Sequence, residues 1–291
     1  IDALVIDLRN NGGGHLTEAT ALTGLFIDNG PVVQLRNANG RISRLDDPDP
    51  VPRSAYNGPL IVLVNRYSAS ASEIFAAAIQ DYERGIVVGQ QTYGKGTVQN
   101  LYALDQYVRR NQDELGQLTL TIGKYYRVTG ESTQNRGVIP DIELPSYIDI
   151  DNTGESSRDT ALPWDKIKPS RYKKNQSMED PINQLRELHT ERRKTDPELI
   201  FLLKDIEESF SYRKQTTVSL NLNKRISERE EREERKEVID NLRVKANNND
   251  ETQEESEDRD INLNETAAIA TDLVKLYYSD NKSNQMAKRV E

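Results

Sequence analysis

Cysteine is absent from this chain, which excludes disulfides, thiolate metal sites and a cysteine nucleophile. Histidine is nearly absent. His15 and His189 are the only two; they offer no catalytic triad and, without clustered carboxylates, no zinc site. No apolar run reaches the roughly 18 residues that span a bilayer. An excess of positive charge is missing as well. Residues 1–145 carry 13 Lys+Arg against 16 Asp+Glu, and residues 146–291 carry 26 against 32, so the electrostatic footprint of a nucleic-acid binder is absent. There is no initiator Met and no signal peptide. The first residues, Ile1-Asp2-Ala3-Leu4-Val5-Ile6-Asp7-Leu8, already read as a strand. The chain is therefore expected to begin inside a fold, with any targeting segment upstream.

What is present changes along the chain. Up to about residue 145, apolar runs alternate with Gly and Pro turns; beyond it Glu, Lys, Arg and Asn dominate. Residues 3–8, 32–35, 60–64, 85–89 and 117–127 read as strands, the last by its strict alternation. Residues 17–26 and 70–81 have helical spacing. Strands interleaved with helices predict an α/β domain with a largely parallel or mixed sheet. Residues 151–159 read as a polar linker, and the single tryptophan, Trp164, is expected to dock on an apolar surface. Helices are expected over 182–193 and 198–210, separated by Pro197, over 227–245 as a charged helix, and over 265–278. The acidic, Asn-rich tract near 247–260 is expected to be disordered. The division is placed at 1–147, the core, and 148–291, a mostly α-helical C-terminal domain.

Three local features carry chemistry. Tyr67-Ser68-Ala69-Ser70-Ala71-Ser72-Glu73 is a small-residue turn opening an apolar helix. Its Ser-x-x-Glu spacing is that of a capping box. A hydroxyl at that point also sits at the electropositive helix end, where free N–H groups can hold an oxyanion. Residue chemistry does not choose among Ser68, Ser70 and Ser72. Lys95 lies between Gly94 and Gly96. Without a suitable histidine, it is the simplest base for a serine, provided that burial brings it down from a reference pKa of about 10.4. Gln99, four residues on, is placed to orient either the lysine or the substrate. The third feature is Gly12-Gly13-Gly14, a loop offering unhindered backbone N–H groups. If strands 3–8 and 60–64 are parallel neighbours, this loop and the serine turn share one sheet edge.

A rival motif overlaps the second feature. Gly89-Gln90-Gln91-Thr92-Tyr93-Gly94-Lys95 matches a phosphate loop, but Gly96 stands where Ser or Thr would hold Mg²⁺. Residues 97–104 also do not read as the helix that such a loop feeds.

Taken in order, Asp7-Leu8-Arg9-Asn10-Asn11-Gly12-Gly13-Gly14, Ser68-Ala69-Ser70-Ala71-Ser72-Glu73, Gly94-Lys95-Gly96-Thr97-Val98-Gln99 and Gly137-Val138-Ile139-Pro140-Asp141-Ile142 resemble the C-terminal processing, or tail-specific, serine proteases. Ala161-Leu162-Pro163-Trp164-Asp165 and the helical tail resemble the longer, periplasmic branch of Gram-negative bacteria. The resemblance implies a crotonase-like α/β protease core, with Ser70 as nucleophile, Lys95 as general base, Gln99 positioning Lys95, and Gly14 and Ala71 as oxyanion donors. Asp81 matches an acid assigned to the charge relay. It also implies polypeptide substrates with apolar C-termini, an adaptor protein as partner, and neither cofactor nor metal. The family's PDZ domain precedes the segment that starts at Ile1. A scaffold that captures polypeptides without cutting them is the alternative.

Overall fold

A computed structural model of the chain describes residues 1–49, 53–107, 115–247 and 260–287. The acidic tract expected to be disordered lies, apart from its two ends, outside the described residues. Two compact units are present: residues 1–143 with 149–179, and residues 144–148 with 180–291.

The first unit holds two four-stranded sheets. Strands β1 (Leu4–Asp7), β4 (Leu60–Val64), β5 (Ile86–Gly89) and β8 (Ile142–Glu143) form a parallel sheet in the order β1-β4-β5-β8. Strands β2 (Pro31–Asn37), β3 (Ile42–Asp46), β6 (Thr97–Ala103) and β7 (Gln117–Tyr126) form an antiparallel one in the order β3-β2-β7-β6. A continuous apolar strand such as Leu-Ile-Val-Leu-Val fits burial on both faces, and β4 is buried throughout. Helix α1 (Leu16–Gly24) follows β1, and helix α2 (Ala71–Asp81) follows β4.

Helix α2 has an unbroken apolar body, Ile74-Phe75-Ala76-Ala77-Ala78-Ile79, because two of its faces are covered. Phe75, Ala76 and Ile79 cluster with Leu60, Val62 and Val87 of the parallel sheet. Ala71, Ile74 and Ala78 cluster with Val32 and Val33 of β2 and Tyr125 of β7. The start of α2 is thereby fixed between two sheets.

The polar stretch read as a linker is fastened to this unit. The Arg66 guanidinium, 1% exposed, donates to the carbonyls of Thr153 (2.6 Å) and Ile150 (3.1 Å). Asp165 accepts from Lys124 and Arg36, each at 2.5 Å. Trp164 meets polar groups where an apolar surface was expected: its Nε1–H donates to the Ser132 carbonyl (2.8 Å), and the Arg136 guanidinium lies 3.8 Å from its ring centre. Among the described residues the Arg66 guanidinium is held by the carbonyls of Thr92, Ile150 and Thr153 and by the Ser156 hydroxyl, without a carboxylate hydrogen bond, a pattern that composition does not reveal.

The second unit is helical, as the sequence implied: α3 (Glu179–Thr195), α4 (Pro197–Lys214), α5 (Leu222–Asn247) and α6 (Ile261–Ala287). Pro197 begins α4, where a missing N–H costs nothing, and the Asp196 carboxylate caps the Glu198 and Leu199 N–H groups at 2.8 and 3.2 Å. Buried His189 meets Glu265 at 2.7 Å, and Arg192 bridges Glu265 and Asp272, tying α3 to α6. No helix among the described residues is long and apolar enough to cross a membrane.

Candidate active site

Parallel pairing of β1 with β4, in the register Leu4↔Leu60 to Asp7↔Leu63, brings the loops after both strands to one edge, as expected. The loops are then stitched together. Asn65 Nδ2 donates to Asn10 Oδ1 (2.9 Å), the Ala69 N–H to the Asn11 carbonyl (3.0 Å), and the Ser72 hydroxyl to the same carbonyl (3.0 Å). Gly13, at φ 101°, packs so closely that a Cβ there would lie 2.8 Å from Ser70 Cβ and 2.9 Å from the Ala71 nitrogen. Only glycine fits.

Ser70 is the residue on which this edge converges. It precedes α2 at φ 56° and ψ −114°, a left-handed conformation costing a non-glycine residue about 1–3 kcal/mol. The capping box that the spacing predicts is present: the Ser70 side chain faces the Glu73 N–H, and the Glu73 carboxylate takes the Ser70 N–H. The other two serines are occupied elsewhere: Ser68 donates to the Leu8 carbonyl (2.8 Å) and Ser72 to Asn11. Unpaired N–H groups stand in the glycine loop and at the start of α2. The Gly13 N–H is taken by Asn11 Oδ1 (3.0 Å), whereas those of Gly14 and Ala71 have no partner among the described residues. Ala71 is the first residue of α2, where the chain leaves N–H groups unpaired.

Lys95 arrives on the turn between β5 and β6. Gly94 takes φ 90°, and a Cβ there would strike the Asn135 backbone at 2.9 Å. The half-buried Lys95 donates from Nζ to Gln99 Oε1 at 3.1 Å, the contact expected from their spacing. Among the described residues no hydrogen bond joins Lys95 Nζ to Ser70 Oγ. The turn then enters strand β6, so the phosphate-loop reading lacks its helix.

Two buried side chains link the serine and lysine turns. Glu73, 0% exposed, accepts from the Ser70 N–H (2.8 Å), the Gly94 N–H (2.7 Å), the Lys95 N–H (3.0 Å) and the Thr92 hydroxyl (2.6 Å). Burial pushes its carboxyl up to about 7, against the opposite pull of these hydrogen bonds. The Tyr125 hydroxyl lies between the carbonyls of Ser70 (3.2 Å) and Lys95. Sequence reasoning saw Glu73 only as a helix cap and did not single out Tyr125. The cap spacing is the signal that points to Glu73; Tyr125 has none.

Asp81 is placed apart from these groups. It ends α2, eleven residues from Ser70, which at a rise of about 1.5 Å per residue is roughly 16 Å. Its buried carboxylate pairs with Arg127 at 2.5 Å. Burial raises its carboxyl, and Arg127 opposes that shift. His15 is exposed at the end of the glycine loop.

Residues 1–144 match Peptidase family S41, and residues 148–275 match the C-terminal domain of tail specific protease. The chain is 44% identical to the tail-specific protease of Haemophilus influenzae over 98% of its own length and 42% of that protein's. It is 40% identical to the carboxy-terminal-processing protease of Bartonella bacilliformis over 47% of the chain and 30% of the relative. Among solved structures, the photosystem II D1 C-terminal processing protease matches with a TM-score of 0.43 and 32% identity, over 52% of this chain and 37% of that one. The chain thus spans less than half the length of these relatives.

Proposed function

This chain belongs to peptidase family S41, and on that premise we propose that it carries the catalytic residues of a tail-specific serine endopeptidase. The observation that carries the reading is the convergence on Ser70: a strained turn at the start of α2, two unpaired N–H groups beside it, and the Lys95 turn bound to it through Glu73.

In the reaction, Lys95 in its neutral form takes the proton from Ser70 Oγ as that oxygen attacks the peptide carbonyl carbon. The N–H groups of Gly14 and Ala71 stabilise the resulting oxyanion. Lys95 returns the proton to the departing amine, and water hydrolyses the acyl ester on Ser70. Gln99 holds Nζ through its 3.1 Å contact. For Asp81 the ion pair with Arg127 supports a structural part, at the far end of α2. Polypeptides with apolar C-termini as substrates, a periplasmic location and an adaptor partner complete the proposal, on family resemblance alone.

The test uses the full-length protein and a quenched fluorescent peptide with an apolar tail. Ser70→Ala and Lys95→Ala should each abolish cleavage while leaving the fold intact by circular dichroism. Retained turnover in either variant would remove the pair from the mechanism.

A further inference from the structure

We propose that Glu73 and Tyr125 are positioning residues: together they fix Ser70 relative to Lys95, and the brace they form opens when Glu73 takes up a proton. The inference rests on the Ser70–Lys95 reading above. Its basis is that the same two side chains meet the backbone of both reacting residues: the Glu73 carboxylate takes both N–H groups, and the Tyr125 hydroxyl, with one proton to donate, lies within reach of both carbonyls. Glu73 accepts the N–H of Ser70 and of Lys95 at 2.8 and 3.0 Å. The Tyr125 hydroxyl lies 3.2 Å from the carbonyl oxygen of Ser70 and hydrogen-bonds that of Lys95. The two turns are separate pieces of chain, yet Ser70 Oγ and Lys95 Nζ play no part in joining them.

The brace is anchored on either side. Thr92, which donates to Glu73 at 2.6 Å, accepts the Val138 N–H at 2.7 Å, and its carbonyl accepts from the buried Arg66 guanidinium. Tyr125, 2% exposed, lies in the core beside Ala71 and Ile74.

Acid sensitivity follows from counting acceptor sites. An ionised carboxylate offers about four lone-pair positions, and four donors reach Glu73. A proton added to either oxygen has to displace one of them. Other titratable groups facing this point are Arg66 ahead of α2, Lys95 ahead of β6, Tyr125 on β7 and Glu155 in the 149–179 segment. Burial keeps the Tyr125 hydroxyl protonated well above neutral pH, and Arg66 stays charged. Glu73, held at about 7 by burial, is the group placed to change state near neutrality.

Two measurements on the full-length protein test the brace. The first separates kcat from KM with the quenched peptide between pH 5.5 and 9. Tyr125→Phe should lower kcat at least tenfold with KM within twofold. Wild type should lose kcat below pH 7, and Glu73→Gln should show a low kcat without that acid limb. The second is amide hydrogen exchange, which needs no turnover. Protection of the Gly94 and Lys95 amides should fall at least tenfold in Tyr125→Phe, and in wild type below pH 7. Unchanged kcat together with unchanged exchange in Tyr125→Phe would overturn the brace, even if Glu73→Gln failed to fold. A wild-type protein that never turns over the peptide would instead count against the protease reading, with exchange still deciding the brace.

Discussion

Glu73 shows what a single buried carboxylate does to both stability and chemistry. Its carboxyl is raised to about 7 from an ordinary 4.5, so the folded state holds the proton more tightly than the unfolded chain. The sign follows directly: stability is greatest below the unfolded value and declines as pH rises through about 7. A shift of this size corresponds to about 3 kcal/mol. Urea unfolding should therefore give a lower stability at pH 8 than at pH 5, with the difference reduced in Glu73→Gln; an equal slope in both proteins would contradict it. Residues of this kind differ in how far the sequence exposes them. Lys95, Gln99 and the serine turn stand out because their motifs are local, although the choice of Ser70 over Ser68 and Ser72 comes from the family resemblance. Tyr125 does not stand out, since its partners are backbone carbonyls 30 and 55 positions away.

At the scale of elements, α2 positions the candidate site because it is clamped between two sheets. Ile79, 0% exposed, packs in the cluster with Leu60, Val62 and Val87. Ile79→Ala should cost about 2–5 kcal/mol, read as a lower midpoint in urea, with kcat per folded molecule nearly unchanged at a distance from Ser70. A loss below 1 kcal/mol would mean that the sheets do not grip the helix as described. The apolar elements β4, β5 and the body of α2 were legible in sequence because burial on all sides leaves an unbroken apolar run; β1, half-buried at the edge of its sheet, was legible from the short run Leu4-Val5-Ile6. β3 and β6 were not assigned. Both lie at the edges of the antiparallel sheet, and runs such as Thr-Val-Gln-Asn-Leu-Tyr-Ala carry too little burial to impose a pattern. The parallel sheet that the sequence implied is present as β1-β4-β5-β8, and the remaining strands form a separate antiparallel sheet, a separation set by long-range pairing.

For the whole molecule, composition located the change in character near residue 145 but not how the chain is shared between units. Residues 149–179 belong with the first unit, held by Arg66, Lys124, Arg36 and the Tyr82 carbonyl, which accepts the Asn175 N–H at 2.9 Å. Native-state hydrogen exchange in rising urea should show residues 149–157 losing protection together with β4 and β5, apart from α3 and α4. Loss together with α3 and α4 would contradict the division. The central claim concerns Ser70 and is tested most directly by intact-mass and peptide mapping after treatment with a serine-directed acylating probe. The account predicts one adduct, on Ser70, that disappears in Lys95→Ala. An adduct on Ser68 or Ser72, or one on Ser70 that persists undiminished without Lys95, would contradict it.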